Sequence, residues 1–502
     1  MSAALLQAFS MVFEPYTILV MVLASLYGLF VGAVPGLSAT MAVALLVPVT
    51  FFMQPIPAIA AMVTATAMAI FSGDIPGCLL RIPGTPASAA YTDEAFAMTR
   101  KGMAETALGA GLVFSAVGGL FGTVVLIVAA PALADFALNF SSFEYFWLVL
   151  LGLTCAVFIT SDRPLKGMVT LLLGLLVACV GLGNPAGFPR FTFGNAEMTG
   201  GIGMIPMMIG MFAISEVIRF AVDTLPPGEI VVEKVGRVLS GQWALAKKYP
   251  VQILRGSVLG TAVGALPGAG ADIAAWMSYA MSKKFSKEPE KFGTGHVEGI
   301  VESGSANNSA LAGAWIPALV FGIPGDSITA IVIGVLYMKN LNPGPTLFTT
   351  NPQNIYAVFM LFIIANIIMI PLGILCIKVA KRILRVPRNV LMPLILLFCI
   401  VGAFAINNSL FDVGVMLAAG IVAYLLEENG FPIAPAILGV VLGGMLEENF
   451  ITSMIKSDGN LAGFVSRPIA ASLAAVVVLI WVVPLLKKLW TKGRRTAPST
   501  AA

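Results

Sequence analysis

Four short stretches of this chain place hydroxyl or carboxylate side chains directly after a Pro-Gly pair. They are PGLSAT (35–40), IPGTPAS (82–88), PGAGAD (267–272) and IPGDSIT (323–329). Proline removes a backbone donor and clashes with the preceding helical turn, at about 3 kcal/mol in a helix interior. A helix broken in this way exposes free N–H groups at one new end and free C=O groups at the other. The N-terminal end carries about half a positive charge and suits a carboxylate, whereas neutral oxygens suit a sodium ion. The candidate substrate ligands are Ser38, Thr40, Gly84, Thr85 and Ser88 from the first two breaks, and Gly325, Ser327 and Thr329 from the last. The run ESGSANNS (302–309) adds Asn307 and Asn308 to that list. Asp272 and Asp326 are the candidate ion-coupling carboxylates, with the same two asparagines as neutral partners.

Asp74 and Arg81 raise a separate question, because an unpaired charge at membrane depth costs several kcal/mol. They stand seven residues apart around Pro76. A bent path would let them pair; otherwise Arg81 reaches a substrate carboxylate or snorkels to the surface.

The elements that must hold these residues are apolar. The chain has 502 residues, 58% hydrophobic and 11% charged, against about 25% charged in soluble proteins. Apolar stretches recur at 16–31, 37–53, 107–134, 145–160, 165–182, 353–377, 389–406, 411–426 and 468–486. Each approaches the roughly 20 residues that a bilayer-crossing helix needs. With shorter broken segments the same rule predicts about ten to fourteen membrane elements, hence an all-α polytopic membrane protein.

Composition excludes several chemistries. His296 is the single histidine, which removes His-based zinc clusters and Ser-His hydrolases. The five cysteines form no C-x-x-C pair and read as small packed residues. No G-x-x-x-x-G-K-[ST] loop is present, so ATP hydrolysis by that route is excluded. An intramembrane hydrolase would have to rest on a Ser-Lys pair. Nucleic-acid binding has no support, because the basic residues border membrane spans. No cofactor is expected beyond a coupling ion.

The chain is duplicated. VGAVPG (31–36) returns as VGALPG (263–268), and IPGCLLRIPG (75–84) as IPALVFGIPG (316–325), at offsets of 232 and 241 residues. The nine extra residues fit KKFSKEPEKFGTGH (283–296), whose first-half counterpart is the uncharged turn FFMQPIP (51–57). Arg100 and Lys101 follow the IPG break of the first half, while only Lys339 follows its second-half equivalent. Equivalent loops with opposite charge bias predict inverted repeats built from broken or re-entrant helices. The expected organisation is a first half (1–225), a polar linker (226–250), a second half (251–465) and a final span with a basic tail (466–502). Lys378, Lys381, Arg382, Arg385 and Arg388 form one basic loop, and Lys487, Lys488, Lys492, Arg494 and Arg495 mark the tail. Both are expected to be cytoplasmic. No Lys or Arg precedes Arg81, so no cleavable signal is expected.

At these motifs the sequence resembles the large membrane subunit of the tripartite tricarboxylate transporters. The resemblance is carried by GAVPGLSATMAVALLVPVTF (32–51), LLRIPGTPASAA (79–90), GALPGAGADIAAWMSY (264–279), KFGTGHVEGI (291–300), the run 302–330 and APAILGVVLGGMLEENF (434–450). It extends from about residue 14 to the last span. SGDIPGCLLR departs from the family's usual Gly-Ser-rich segment before the first IPG. The resemblance implies a bacterial inner-membrane permease working with a small membrane subunit and a periplasmic solute-binding protein. It implies uptake of organic carboxylates, driven by sodium through an elevator-like movement within the lipid. The motif EEN, at 427–429 and 447–449, is either a docking feature for the small subunit or a pair of solvated helix ends.

Overall fold

A computed structural model of the chain describes residues 2–159, 163–183, 187–222, 237–384, 386 and 388–495. Among the described residues the regular structure is helical, with no strand and one isolated bridge between Gly181 and Arg190. Eight helices among the described residues are long and apolar enough to cross a membrane, including Pro15–Ala33, Pro55–Leu80, Ala104–Ala137 and Pro352–Ala380. Six shorter apolar helices, such as Ala39–Phe51 and Ser327–Met338, bring the elements to the upper end of the expected range. Large apolar side chains such as Leu19, Leu23, Val124, Val128, Leu397 and Phe398 are exposed. Lipid tails are as apolar as leucine, so that surface fits a multi-pass membrane protein.

The duplication recurs as matched backbone geometry. Gly36 and Gly268, 232 residues apart, take left-handed φ values of 87° and 83°. Arg81 ends the helix Asp74–Leu80 at φ 60°, and Gly322, 241 residues on, ends Val297–Phe321 at φ 68°. Thr85 caps the next helix in a box with Ser88, and Asp326 does the same with Thr329.

Packing repeats too. A β-carbon at Gly28 would fall 2.3 Å from the carbonyl oxygen of Ala65, and one at Gly260 would fall 2.3 Å from that of Ala306. One turn further, Gly32 meets the carbonyl of Ala69 at 2.3 Å and Gly264 that of Ala310 at 2.2 Å. Both contacts advance in step along both helices, so Pro15–Ala33 runs parallel to Pro55–Ser72, and Pro250–Gly264 to Val297–Phe321. Small residues are what permit such close approach between membrane helices.

The halves also interlock. Lys101, after the first-half helix Thr92–Arg100, donates to the carbonyl of Thr294 at 2.6 Å in the second-half loop. Lys339, after the second-half helix Ser327–Met338, donates to the carbonyls of Phe51 and Met53 at 2.7 and 2.6 Å in the first-half turn. The buried carboxylate of Glu94 accepts the N–H groups of Gly293, Gly295 and His296 and the hydroxyl of Tyr279. Between the halves runs Val297–Phe321, in which every residue from Glu298 to Phe321 is buried. It lies on Ala104–Ala137, where β-carbons at Gly118 and Gly122 would meet the carbonyls of Ser305 and Ser309 at 1.9 and 2.7 Å.

Of the expected linker, residues 226–236 lie outside the described residues. Its last part forms the short helix Gln242–Lys248, and Gln242 donates to the carbonyl of Thr106 at 3.3 Å. The backbone of the final helix runs Pro468–Arg495. The side chains of the basic tail and of Lys381, Arg385 and Arg388 lie outside what is described.

Candidate functional site

All four Pro-Gly breaks converge on one cavity of about 660 Å³. Its wall takes Gly36, Ser38 and Thr40 from the first break, and Pro83, Gly84 and Thr85 from the second. Gly268, Gly270 and Asp272 come from the third, and Asp326 and Ser327 from the fourth. Three of the four breaks are held by a side-chain cap. Ser38 takes the N–H of Met41 at 3.1 Å and starts Ala39–Phe51. Thr85 takes the N–H of Ser88 at 3.2 Å. Asp326 takes the N–H of Thr329 at 2.7 Å.

Glycine at 84 and 325 follows from crowding. A β-carbon at Gly84 would fall 2.7 Å from the Gly32 carbonyl and from the Gly73 Cα; at Gly325 it would fall 2.6 Å from the Gly264 carbonyl and 2.7 Å from the Ala314 Cα. These neighbours are themselves related by the repeat offsets.

The two halves meet at the carboxylates. Asp272 accepts the N–H of Ala87 at 3.1 Å, a direct bond from the third break to the second. Trp276, one turn on, donates to the carbonyl of Pro86 at 3.2 Å. Gly270 lies against Asp326, since a β-carbon there would fall 2.7 Å from the aspartate Cβ. Asn307 lines the same wall, and its Oδ1 is buried with no hydrogen-bond partner.

Ser38, Thr40, Gly84, Thr85, Asp272, Asn307, Asp326 and Ser327 are therefore brought together. The other sequence candidates are not on the wall. Ser88 and Thr329, 1% and 0% exposed, spend their hydroxyls inside the two capping boxes. Gly325 is buried behind the fourth break as a packing residue. Asn308 turns the other way, with its amide toward the Ala67 carbonyl at 3.4 Å and the Met369 sulfur at 3.5 Å.

The expected Asp74–Arg81 pair does not form. Asp74 is buried and takes the hydroxyl of Tyr91 at 2.6 Å. Arg81 stands at the left-handed end of its helix and points outward, where it pairs with Asp93 at 2.9 Å. The reversal at Arg81 separates the two side chains. In the EEN motifs Glu427 pairs with Arg219 and Glu447 holds Arg190 through two bonds of 2.7 Å, while Glu428 and Glu448 are exposed.

Sequence reading missed the remaining wall, built by Met211, Phe212, Ser215, Glu216 and Arg219 with Glu427, Ile433 and Ala434. Gly210–Ile214 is a π-helical turn inside the span Met204–Val222, a distortion frequent at functional sites. Arg219 pairs with Glu216 on its own helix and Glu427 across the wall. The sequence signal was weak: a Glu-x-x-Arg spacing at the end of an apolar span.

Membrane-crossing helices in two repeated halves, broken where they meet at a cavity holding charged and hydroxyl groups, define a membrane transport protein. The chain belongs to the tripartite tricarboxylate transporter TctA family, whose model matches residues 18–438. It is 34% identical over 467 residues to an uncharacterized 52.8 kDa protein in the TAR-I ttuC' 3'region of Agrobacterium vitis, covering 93% of each chain. A second Agrobacterium vitis protein, in the TAR-II ttuC' 3'region, is 36% identical over 233 residues, covering 46% of this chain and 96% of that one. No solved structure matches.

Proposed function

We propose that this transporter subunit is the permease that imports organic carboxylates by sodium symport, through alternating exposure of the cavity where the four breaks meet. The observation that carries the reading is the convergence of four helix starts, the carboxylates of Asp272 and Asp326, and Asn307 on one space. Helix starts and hydroxyls at Ser38 and Thr85 favour a substrate carboxylate. Asp272 and Asp326, with Asn307 beside them, supply the charge and neutral oxygens a sodium ion takes. A cavity of about 660 Å³ has room for a small organic acid.

Inverted halves fit the reciprocal docking of Lys101 and Lys339, which joins each post-break helix to the first hairpin of the other half. In this reading the two interlocked halves move as an elevator against the outer helices. A small membrane subunit and a periplasmic binding protein complete the system in a bacterial inner membrane, with the C-terminal tail cytoplasmic. The test is uptake of a labelled carboxylate into proteoliposomes holding the permease, the small subunit and the binding protein. Accumulation is expected only with an inward sodium gradient and the binding protein present. Unchanged uptake with sodium replaced by choline at constant pH overturns the sodium symport.

A further inference from the structure

Behind the cavity wall, three helices enclose polar oxygens that transport through the breaks leaves unused. Asp74, 6% exposed, bonds through one oxygen to Tyr91, while its other oxygen, Oδ2, is buried without a partner. Oδ2 faces Gly111, whose β-carbon would fall 2.8 Å away. The Tyr91 hydroxyl also receives the Asn307 amide at 3.4 Å, so Asp74 and Asn307 flank one oxygen. Asn307 is fully buried and its Oδ1 is unpartnered; Ser303, one turn earlier on the same helix, is also fully buried with an unpartnered Oγ.

Among the described residues no basic side chain bonds Asp74, and Arg81 is committed to Asp93 on the outside. An isolated carboxylate in such a place is costly, and each orphaned oxygen adds to the cost. A bound cation would relieve all of these at once. One carboxylate with neutral oxygens suits a monovalent ion better than a divalent one, which takes more ligand charge.

We infer that Asp74 Oδ2, Asn307 Oδ1 and Ser303 Oγ form a second cation site, taking a dehydrated monovalent ion of the sodium class behind the transport cavity. The inference rests on the reading above only for the identity of the ion. Tyr91 is a positioning residue there: its hydroxyl holds the carboxylate so that Oδ2 points inward. Because Asn307 both lines the cavity and bonds Tyr91, an ion here fixes one wall of the substrate site.

The test is equilibrium binding of radiolabelled sodium to the purified full-length chain, in buffers balanced with choline, together with melting temperatures. Asp74→Asn is expected to bind one ion fewer per chain than wild type. In choline it is expected to melt no lower than wild type, because a buried uncompensated charge has been removed. Tyr91→Phe keeps the volume and is expected to weaken sodium binding about 10- to 100-fold, the usual effect of losing a ligand-orienting partner. It also serves if Asp74→Asn does not fold.

Wild-type sodium binding in either folded variant overturns the inference. So does a melting temperature that responds to pH and not to sodium, which would make Asp74 a proton carrier. The reading above fails separately. Sodium binding lost only in the pair Asp272→Asn and Asp326→Asn leaves that reading standing and removes this site. Sodium binding lost only in Asp74→Asn does the reverse.

Discussion

Asp326 is asked to do two things, and its first-half counterpart shows how to separate them. Its side chain accepts the Thr329 N–H and the Thr329 hydroxyl, both at 2.7 Å, and starts the helix Ser327–Met338. It is also, with Asp272, one of the two carboxylates that the breaks bring to the cavity wall. Thr85 starts the equivalent helix with a hydroxyl alone, taking the Ser88 N–H at 3.2 Å. Asp326→Thr should therefore keep the cap and remove the charge, while Asp326→Ala removes both. Loss of an N-cap costs about 0.5–2 kcal/mol, and Thr329 is 0% exposed, so water cannot replace the lost acceptor. Asp326→Ala is expected to lose about 2 kcal/mol, near the top of the capping range; Asp326→Thr should stay within about 0.5 kcal/mol of wild type, since threonine is itself a favoured cap. Melting curves in detergent measure the first effect. Sodium titration of uptake measures the second, with half-saturation for Asp326→Thr raised about tenfold, equivalent to about 1.4 kcal/mol of ion binding. A wild-type sodium curve for Asp326→Thr refutes the coupling role and leaves Asp326 as a cap. Wild-type melting of Asp326→Ala refutes the capping argument.

Three further outcomes follow from the geometry. Gly28→Ala and Gly260→Ala should each cost about 1–3 kcal/mol, because both β-carbons meet backbone that cannot give way; a melting shift in only one of them would mean that the matched contacts are not energetically equivalent. Arg81→Gly should leave melting unchanged or slightly raised and uptake intact, since an exposed ion pair worth about 0.2–1 kcal/mol is exchanged for relief at a left-handed position. A well-folded Arg81→Gly without uptake would instead place Arg81 on the substrate. Lys339→Met should lower the melting temperature by removing two interhalf bonds, at about 1.5–3 kcal/mol in all; unchanged melting would show that the docking contributes nothing.

How much of this was legible depends on the range over which a residue acts. Pro-Gly pairs act on their own backbone, so four breaks and the repeat offsets could be read before any contact was known. Convergence of the breaks followed from the repeat. Orientation of single side chains did not. Asn307 and Asn308 are neighbours on one helix, about 100° apart around its axis, so one facing the cavity turns the other away, and composition does not choose between them. Ser88 and Thr329 looked like ligands because hydroxyls after a break are the right chemistry; three residues after the cap, the same hydroxyls close the capping box.

Arg81 carries the more general lesson. Seven residues from Asp74, it reads as a partner if the path between them bends. The chain instead turns left-handed at Arg81, where its repeat counterpart is Gly322. Glycine announces such a turn and arginine conceals it, so the reversal was readable only by laying one half on the other. No such aid existed for Arg219 and Glu427, which stand 208 residues apart and meet only because the π-turn segment packs beside the helix Leu410–Glu428. A site made of repeated parts can be inferred from half of itself. The unrepeated wall that closes it required the fold.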